Sequence, residues 1–441
     1  MNYLTDKIKP MFIKLLVASS GSAVVCSVFA MMDAMMIGRY HGPDGTAAIA
    51  VFNPIWSFVY CLGFLTGIGG SVLFANYRGK REEQESNEFF TATIIYGIIV
   101  SLVSAVAISV FSEQIFRFFG ADDTLLELTE KYFACIKFAI PCCVFSNLLS
   151  ALLRNDNDST LAMVAVILGG IINAIGDYIF VFICDMGIFG AGLGTSIGLY
   201  ASNFFLLIHF FRKRNTYKFV KPEKLFSKLA KITRIGFPTA ITDLALGIVG
   251  VMFNKQIMKY LDSNALSVYG VLTQVSGFAQ CIAYGVGQAA QPILSQNLGA
   301  KKISRIKECY RYGLITSFIL GVFWLLLALS FPNMFVRLFM TPTDEVLEIA
   351  PAIIRAYGLS FLILPFNIYA TYYFQAILKP RISTITSLSR GAFVSGIMIF
   401  ILPLVIGANG VWYAMLLAEI VTAVYVVINL KKCNREINAI A

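Results

Sequence analysis

Long apolar runs recur along the chain, separated by short polar segments. They fall at about 11–37, 46–77, 89–111, 131–154, 160–183, 190–211, 235–258, 264–296, 310–331, 350–378, 382–405 and 410–430. Each can cross a hydrocarbon core of about 30 Å as a helix. The pattern predicts twelve membrane-spanning helices and an all-α integral membrane protein. The first run is too long for a cleavable leader and has no small-residue cleavage site, so it is expected to persist as a span.

Composition sharpens this reading. Of 441 residues, 58% are hydrophobic and only 14% are charged, against about 25% charged in soluble domains. A formal charge of +10 would suit a nucleic-acid binder, but its distribution does not. Alternate loops and the two termini collect 26 Lys and Arg, including Arg78, Lys80, Arg81, the stretch Arg212–Arg234, Lys301 to Arg311, Lys379 and Arg381. The opposite loops hold six: Arg39, Arg117, Lys131, Lys259, Arg337 and Arg355. That asymmetry places both termini in the cytoplasm. The partners expected are the bilayer and small organic molecules, with no nucleic acid, and the chain is expected to act as a monomer. Nine cysteines are scattered through apolar runs without metal-binding spacing.

The long basic segment divides the chain into residues 1–211, a cytoplasmic linker at 212–234, and residues 235–441. The halves match at a shift of 220 residues: Arg78-Gly79-Lys80-Arg81 falls on Leu298-Gly299-Ala300-Lys301, and Gly187-Ile188-Phe189-Gly190 on Gly407-Ala408-Asn409-Gly410. Six spans is an even number, so the halves are parallel repeats related by an axis along the membrane normal, with a substrate path between them.

The candidate chemistry sits in the few polar groups within spans. Asn173 and Asp177 in the fifth span are four residues apart and share one helix face. A carboxylate at mid-membrane depth costs roughly 3 kcal/mol or more, and Asp is too short to reach water from there. A helix-packing hydrogen bond is the structural alternative. Asp33 in the first span is a second buried acid. Two carboxylates close together in low dielectric do not both stay charged: a proton or a cation joins them. Asn173 and the hydroxyl of Thr195 could complete an all-oxygen shell, so Asp33, Asn173 and Asp177 are also the candidate Na+ ligands. Shifted by 220, Asp33 and Asp177 fall on Phe253 and Ile397, so any such site belongs to the first half. Met31 and Met35 flank Asp33 and suit either packing or a surface for varied apolar ligands.

Enzyme signatures are missing: no HExxH, Walker loop or GxSxG occurs, and His41 and His209 lie apart. A di-aspartyl intramembrane protease lacks its GxGD motif, since the chain reads Ala174-Ile175-Gly176-Asp177. No cofactor is implied beyond a coupling ion.

MMDAMMIGRYHG (31–42), LRNDND (153–158), NAIGDYIF (173–180) and GQAAQPILSQNLGAKK (287–302) together resemble the multidrug and toxic compound extrusion (MATE) family, in its Gram-positive bacterial branch. The resemblance covers essentially the whole chain. It implies two six-helix lobes in a V around a central cavity, and a cell-membrane antiporter exporting drugs or other organic, mainly cationic, compounds against H+ or Na+. It also implies a coupling site of Asp33, Asn173, Asp177 and Thr195. Asp243, five residues after Pro238, is a candidate second ion or drug contact or a packing partner; Asn254 and Gln288 are further candidate substrate contacts. Many relatives carry a proline in the first span whose kink is linked to protonation, but here that region reads Ala18-Ser19-Ser20-Gly21. The alternative within the superfamily is a lipid-linked oligosaccharide flippase. It would need several inward basic residues, and only Lys255 and Arg390 offer themselves.

Overall fold

The structure, a computed structural model, describes residues 2–340 and 342–439, without the side chains of 243, 434 and 437–439. Its helices are α1 (Ile8–Gly79), α2 (Glu83–Val110), α3 (Ser112–Phe118), α4 (Asp123–Asn155), α5 (Ser159–Asp177), α6 (Gly187–Leu207), α7 (Leu225–Tyr260), α8 (Ser263–Gly299), α9 (Ile303–Ser330), α10 (Pro332–Phe339), α11 (Asp344–Gly358), α12 (Leu364–Ala376), α13 (Pro380–Leu388), α14 (Val394–Ile406) and α15 (Ala414–Ala439). Among the described residues, eleven helical stretches are long and apolar enough to cross a membrane. The 72 residues of α1 would span about 108 Å if straight. The helix instead breaks at Gly42 (φ 64°, ψ −146°), followed by Pro43. A positive φ suits glycine, and Pro43, lacking an N–H, restarts the helix without losing a bond. The two arms of α1 bring the crossings to twelve, six per half. The first arm runs through Ala18–Gly21 with helical dihedrals; Gly42 is the only interruption recorded in α1.

The repeat is visible in the backbone. Arg81 (φ 66°) and Lys301 (φ 55°) lie 220 residues apart, as do Gly187 (φ 57°) and Gly407 (φ 81°). Each half forms one lobe of a V. The lobes meet where glycine lets one backbone touch another. A Cβ on Gly79 would strike the carbonyl of Gln296, and one on Gly299 that of Asn76; all four positions pair by the same 220-residue shift. Gly236 lies in the same way against Leu65, and Gly285 against Ser20. These crossings lie toward the end that carries the termini. On the other halves of α7 and α8, Gly247, Gly250, Gly270 and Gly277 face open space.

The segment before α7 is strapped to the first lobe. Asn87 Oδ1 accepts from the Lys218 amide (3.0 Å), Thr91 Oγ1 from Val220 (3.1 Å) and Glu88 Oε2 from Glu223 (2.8 Å). α7 begins at Leu225, ten residues before its apolar run. Its early charge is compensated, since Lys228 is buried against Glu85 (2.5 Å) and Glu88 (3.2 Å), a pairing that hydropathy cannot reveal. His209 is likewise buried, with its two ring nitrogens 2.9 and 3.0 Å from Asp156 and Asp158. Burial works to raise Asp158, but the hydrogen bonds and charge of His209 and Arg212 outweigh it and hold this loop carboxyl below its usual range.

Candidate functional site

α5 and α6 approach closely because their facing residues are small. Gly190, Gly194 and Gly198 recur every fourth residue on α6, the spacing of a tight helix crossing. A Cβ on Gly198 would lie 2.6 Å from Asn173 Cβ, and one on Gly194 would run into Asp177 Oδ1. Gly192, on the neighbouring face, likewise admits the backbone of Tyr132 on α4. Immediately after Asp177 the helix widens into a π-helical turn, Tyr178–Ile183, a local distortion often found at functional positions.

The first arm of α1 supplies Asp33. Tyr132 donates its hydroxyl to Asp33 Oδ2 at 3.2 Å. Asn173 donates Nδ2 to Asp177 Oδ2 at 3.0 Å and to Thr195 Oγ1 at 3.3 Å. The Asp33 carboxyl lies close to the side chains of Asp177 and Thr195. The four residues expected from the sequence, Asp33, Asn173, Asp177 and Thr195, thus form one cluster, and Tyr132 joins it. Nothing in the sequence marked Tyr132, which lies 99 residues from its partner.

Asp177 is only 1% exposed. Asp33 Oδ1 and Asp177 Oδ1 are both buried without a hydrogen-bond donor. Two such acceptor atoms in adjacent carboxyls make a receptor for one proton or one small cation. For Na+, the two carboxylates and the Thr195 hydroxyl offer oxygen, but Asn173 turns its Nδ2, a donor, toward Asp177. Among the described residues no cluster of three His, Cys, Asp or Glu side chains fits a metal.

Beside this cluster the first lobe holds a partly open cavity of about 550 Å³. Phe29, Trp56, Tyr60 and Tyr132 give it aromatic walls, and Asn53, Asn147, Ser146 and Ser202 add polar groups. Among the described residues, Asp33 is the one charged residue lining it. The other candidate contacts are elsewhere. Met31 is half-buried, Met35 and Asn254 are exposed, and Gln288 is buried in α8; none of the four lines the cavity. The side chain of Asp243 lies outside the described residues.

The second lobe holds a different arrangement. Arg390 donates from Nη2 and Nε to Glu419 Oε1 at 3.1 and 3.2 Å. Asn367 donates to Glu419 Oε2 at 2.6 Å and to its backbone carbonyl at 2.9 Å. Arg390 and Glu419 are 1% and 0% exposed. Arg390, an inward basic candidate in the sequence, is therefore neutralised in place, while Lys255 is exposed on α7.

Comparison with known proteins places this geometry. The MatE family model matches residues 19–179 and 238–401. The multidrug export protein MepA of Staphylococcus aureus is 24% identical over 396 residues, covering 89% of this chain and 86% of that protein. The probable multidrug resistance protein YoeA of Bacillus subtilis is 25% identical over 354 residues, with 78% and 75% covered. A solved structure described as the outward-facing conformation of a multidrug resistance MATE family transporter superposes with a TM-score of 0.92 at 19% identity, covering 99% of this chain and 98% of that one. With its model matched in both lobes, the chain belongs to the MatE family, whose members are membrane transporters and not enzymes.

Proposed function

We propose that this transporter exports organic compounds, cationic or neutral, in exchange for protons entering through the carboxyl pair of Asp33 and Asp177. The observation that carries the reading is the cavity beside that pair, walled by aromatic rings, with Asp33 as the one charged residue lining it among the described residues. Aromatic faces attract organic cations, and a carboxylate in a dry wall supplies their counter-charge. The same carboxylate belongs to the proton receptor, so drug and proton compete for Asp33. A ligand shifts a two-state equilibrium only by its differential affinity for the two states, and competition at one group provides that differential for both partners. The proton is taken as the coupling ion because a single proton shared between the two carboxyls would supply a donor to Asp33 Oδ1 and Asp177 Oδ1, the buried acceptors that have none. Na+ on the same two oxygens is the alternative that the separate gradients test. A pyrophosphate-carrying lipid is disfavoured, since no Lys or Arg lines the cavity among the described residues.

In this reading the protein is a monomer in the cell membrane, with a first lobe at 1–211 and a second that begins with α7 at Leu225, joined by the linker 212–224. The termini and linker are cytoplasmic, and the V opens outward. Dye efflux from loaded proteoliposomes, with a pH gradient and a Na+ gradient imposed separately, tests the proposal. The pH gradient alone is expected to drive efflux. Efflux driven only by Na+ would move the coupling to sodium, and uptake of an anionic lipid-linked sugar in place of dye efflux would overturn the reading.

A further inference from the structure

A second recess, of about 570 Å³, lies between the early part of α7 and the start of α13, lined by Ala230, Thr233, Arg234, Phe237, Pro380, Arg381, Thr384 and Ile385. We propose that it binds an anionic phospholipid, with the headgroup phosphate between Arg234 and Arg381 and the acyl chains against Phe237 and Ile385.

The argument begins with depth. Arg234 directly precedes the apolar run 235–258, and Arg381 directly precedes 382–405. Both guanidiniums therefore stand at the membrane boundary on the basic end of the bundle, where a phospholipid carries its phosphate. The walls then change character along the recess. Phe237 and Ile385 are 40% and 47% exposed, which suits contact with hydrocarbon.

Charge supplies the selectivity. Neighbouring lysines are already paired, Lys228 with Glu85 and Glu88 and Lys379 with Glu436 at 2.5 Å. Glu436 is correspondingly held below its usual range by the hydrogen bond from Lys379. No ion pair among the described residues involves Arg234 or Arg381. Two exposed, uncompensated guanidiniums facing one recess make a fork for a phosphodiester, which accepts charge-assisted hydrogen bonds from both. The start of α13 adds the positive end of a helix dipole on the same side. A zwitterionic lipid brings its own cation to the two arginines, so a net-negative headgroup is preferred. Basic pockets between transmembrane helices take anionic lipids by this chemistry.

The probe is phosphatidylglycerol, offered to the purified full-length protein in an equal mixture with phosphatidylcholine and read by native mass spectrometry. Wild type is expected to retain phosphatidylglycerol over phosphatidylcholine. R234Q/R381Q is expected to lose that retention by roughly tenfold or more, while K213Q/R214Q, on the same basic face but outside the recess, keeps it. Equal retention of the two lipids by wild type, or undiminished phosphatidylglycerol on R234Q/R381Q, would overturn the proposal. Inorganic phosphate in excess should not displace the lipid, because it makes none of the contacts with Phe237 and Ile385. Displacement would mark a free-anion site instead and also sink the lipid assignment. A photoactivatable phosphatidylglycerol on wild type gives a readout that needs no variant: crosslinks should map to 230–237 and 380–385, and crosslinks confined to other segments contradict the site.

Discussion

In the first lobe Asn147, Gly170 and Leu199 line a cavity beside Asp33. Shifted by 220 residues, those positions become Asn367, Arg390 and Glu419, the members of the buried network in the second lobe. One fold, duplicated, has met the same interior position in two ways. In the first lobe the three positions carry an amide, a glycine and a leucine with no charge among them, a cavity remains, and an acid pair beside it keeps two acceptor atoms without donors. In the second lobe a guanidinium and a carboxylate neutralise each other and an amide completes the network. The difference teaches where work can be done. On the proposed function the acid pair, which has no fixed counter-charge, recruits a mobile ion, whereas Arg390 and Glu419 each already hold the other's counter-charge.

The largest effect should come from unbalancing the compensated lobe. Glu419→Gln leaves Arg390 buried and uncompensated, a loss of about 3–5 kcal/mol. We expect little folded protein in the membrane, measured by detergent-solubilised yield and thermal stability. Arg390→Met with Glu419→Leu removes both charges together and should restore folding and transport to within a few-fold of wild type, because apolar replacement of a buried pair is close to neutral. If that double variant folds but does not transport, the second lobe takes part in the chemistry and the contrast between the lobes fails.

Next in size is the geometry of the uncompensated lobe. Alanine at Gly194 gains about 1 kcal/mol of helix propensity, but its methyl group displaces the Asp177 carboxyl. The methyl also meets the Asp177 backbone nitrogen at 2.9 Å, so Gly194→Ala should lose about 1–3 kcal/mol of stability and, per folded molecule, roughly ten- to a hundredfold in gradient-driven efflux, the scale of a misplaced reacting group. Gly247→Ala, which meets open space, is the matched control. Its efflux should stay within about twofold of wild type, and an equal loss in both variants would show that α6 crowding is not the cause.

The twelve crossings, the duplication and the cluster of Asp33, Asn173, Asp177 and Thr195 were legible in the sequence for definite reasons. Spans announce themselves by length, and a polar residue inside one stands out against its surroundings. The i, i+4 spacing of Asn173 and Asp177 put them on one face before any tertiary contact was known. What stayed hidden were partners made only by folding. Tyr132 reads as one more aromatic in an apolar run until α4 brings it to Asp33. Arg390 and Glu419 were visible as charges, but nothing in their 29-residue separation said that one would neutralise the other. The start of α7 was misplaced for the same reason, since Lys228 reads as linker until Glu85 and Glu88 are known to face it. Candidate drug contacts such as Met35 and Asn254 followed from residue type alone, and both stand on exposed helix faces.

The central claim is that Asp33 and Asp177 act as one ion receptor rather than as two independent acids. A double-mutant cycle on dye efflux in proteoliposomes tests it directly, with Asp33→Asn, Asp177→Asn and the two combined, each first checked for folding. Residues that act as a unit are strongly non-additive. Each single variant should lose gradient-driven efflux almost completely, and the double variant should be no worse than either. Substantial activity in both single variants, with losses that simply multiply in the double, would contradict the shared site.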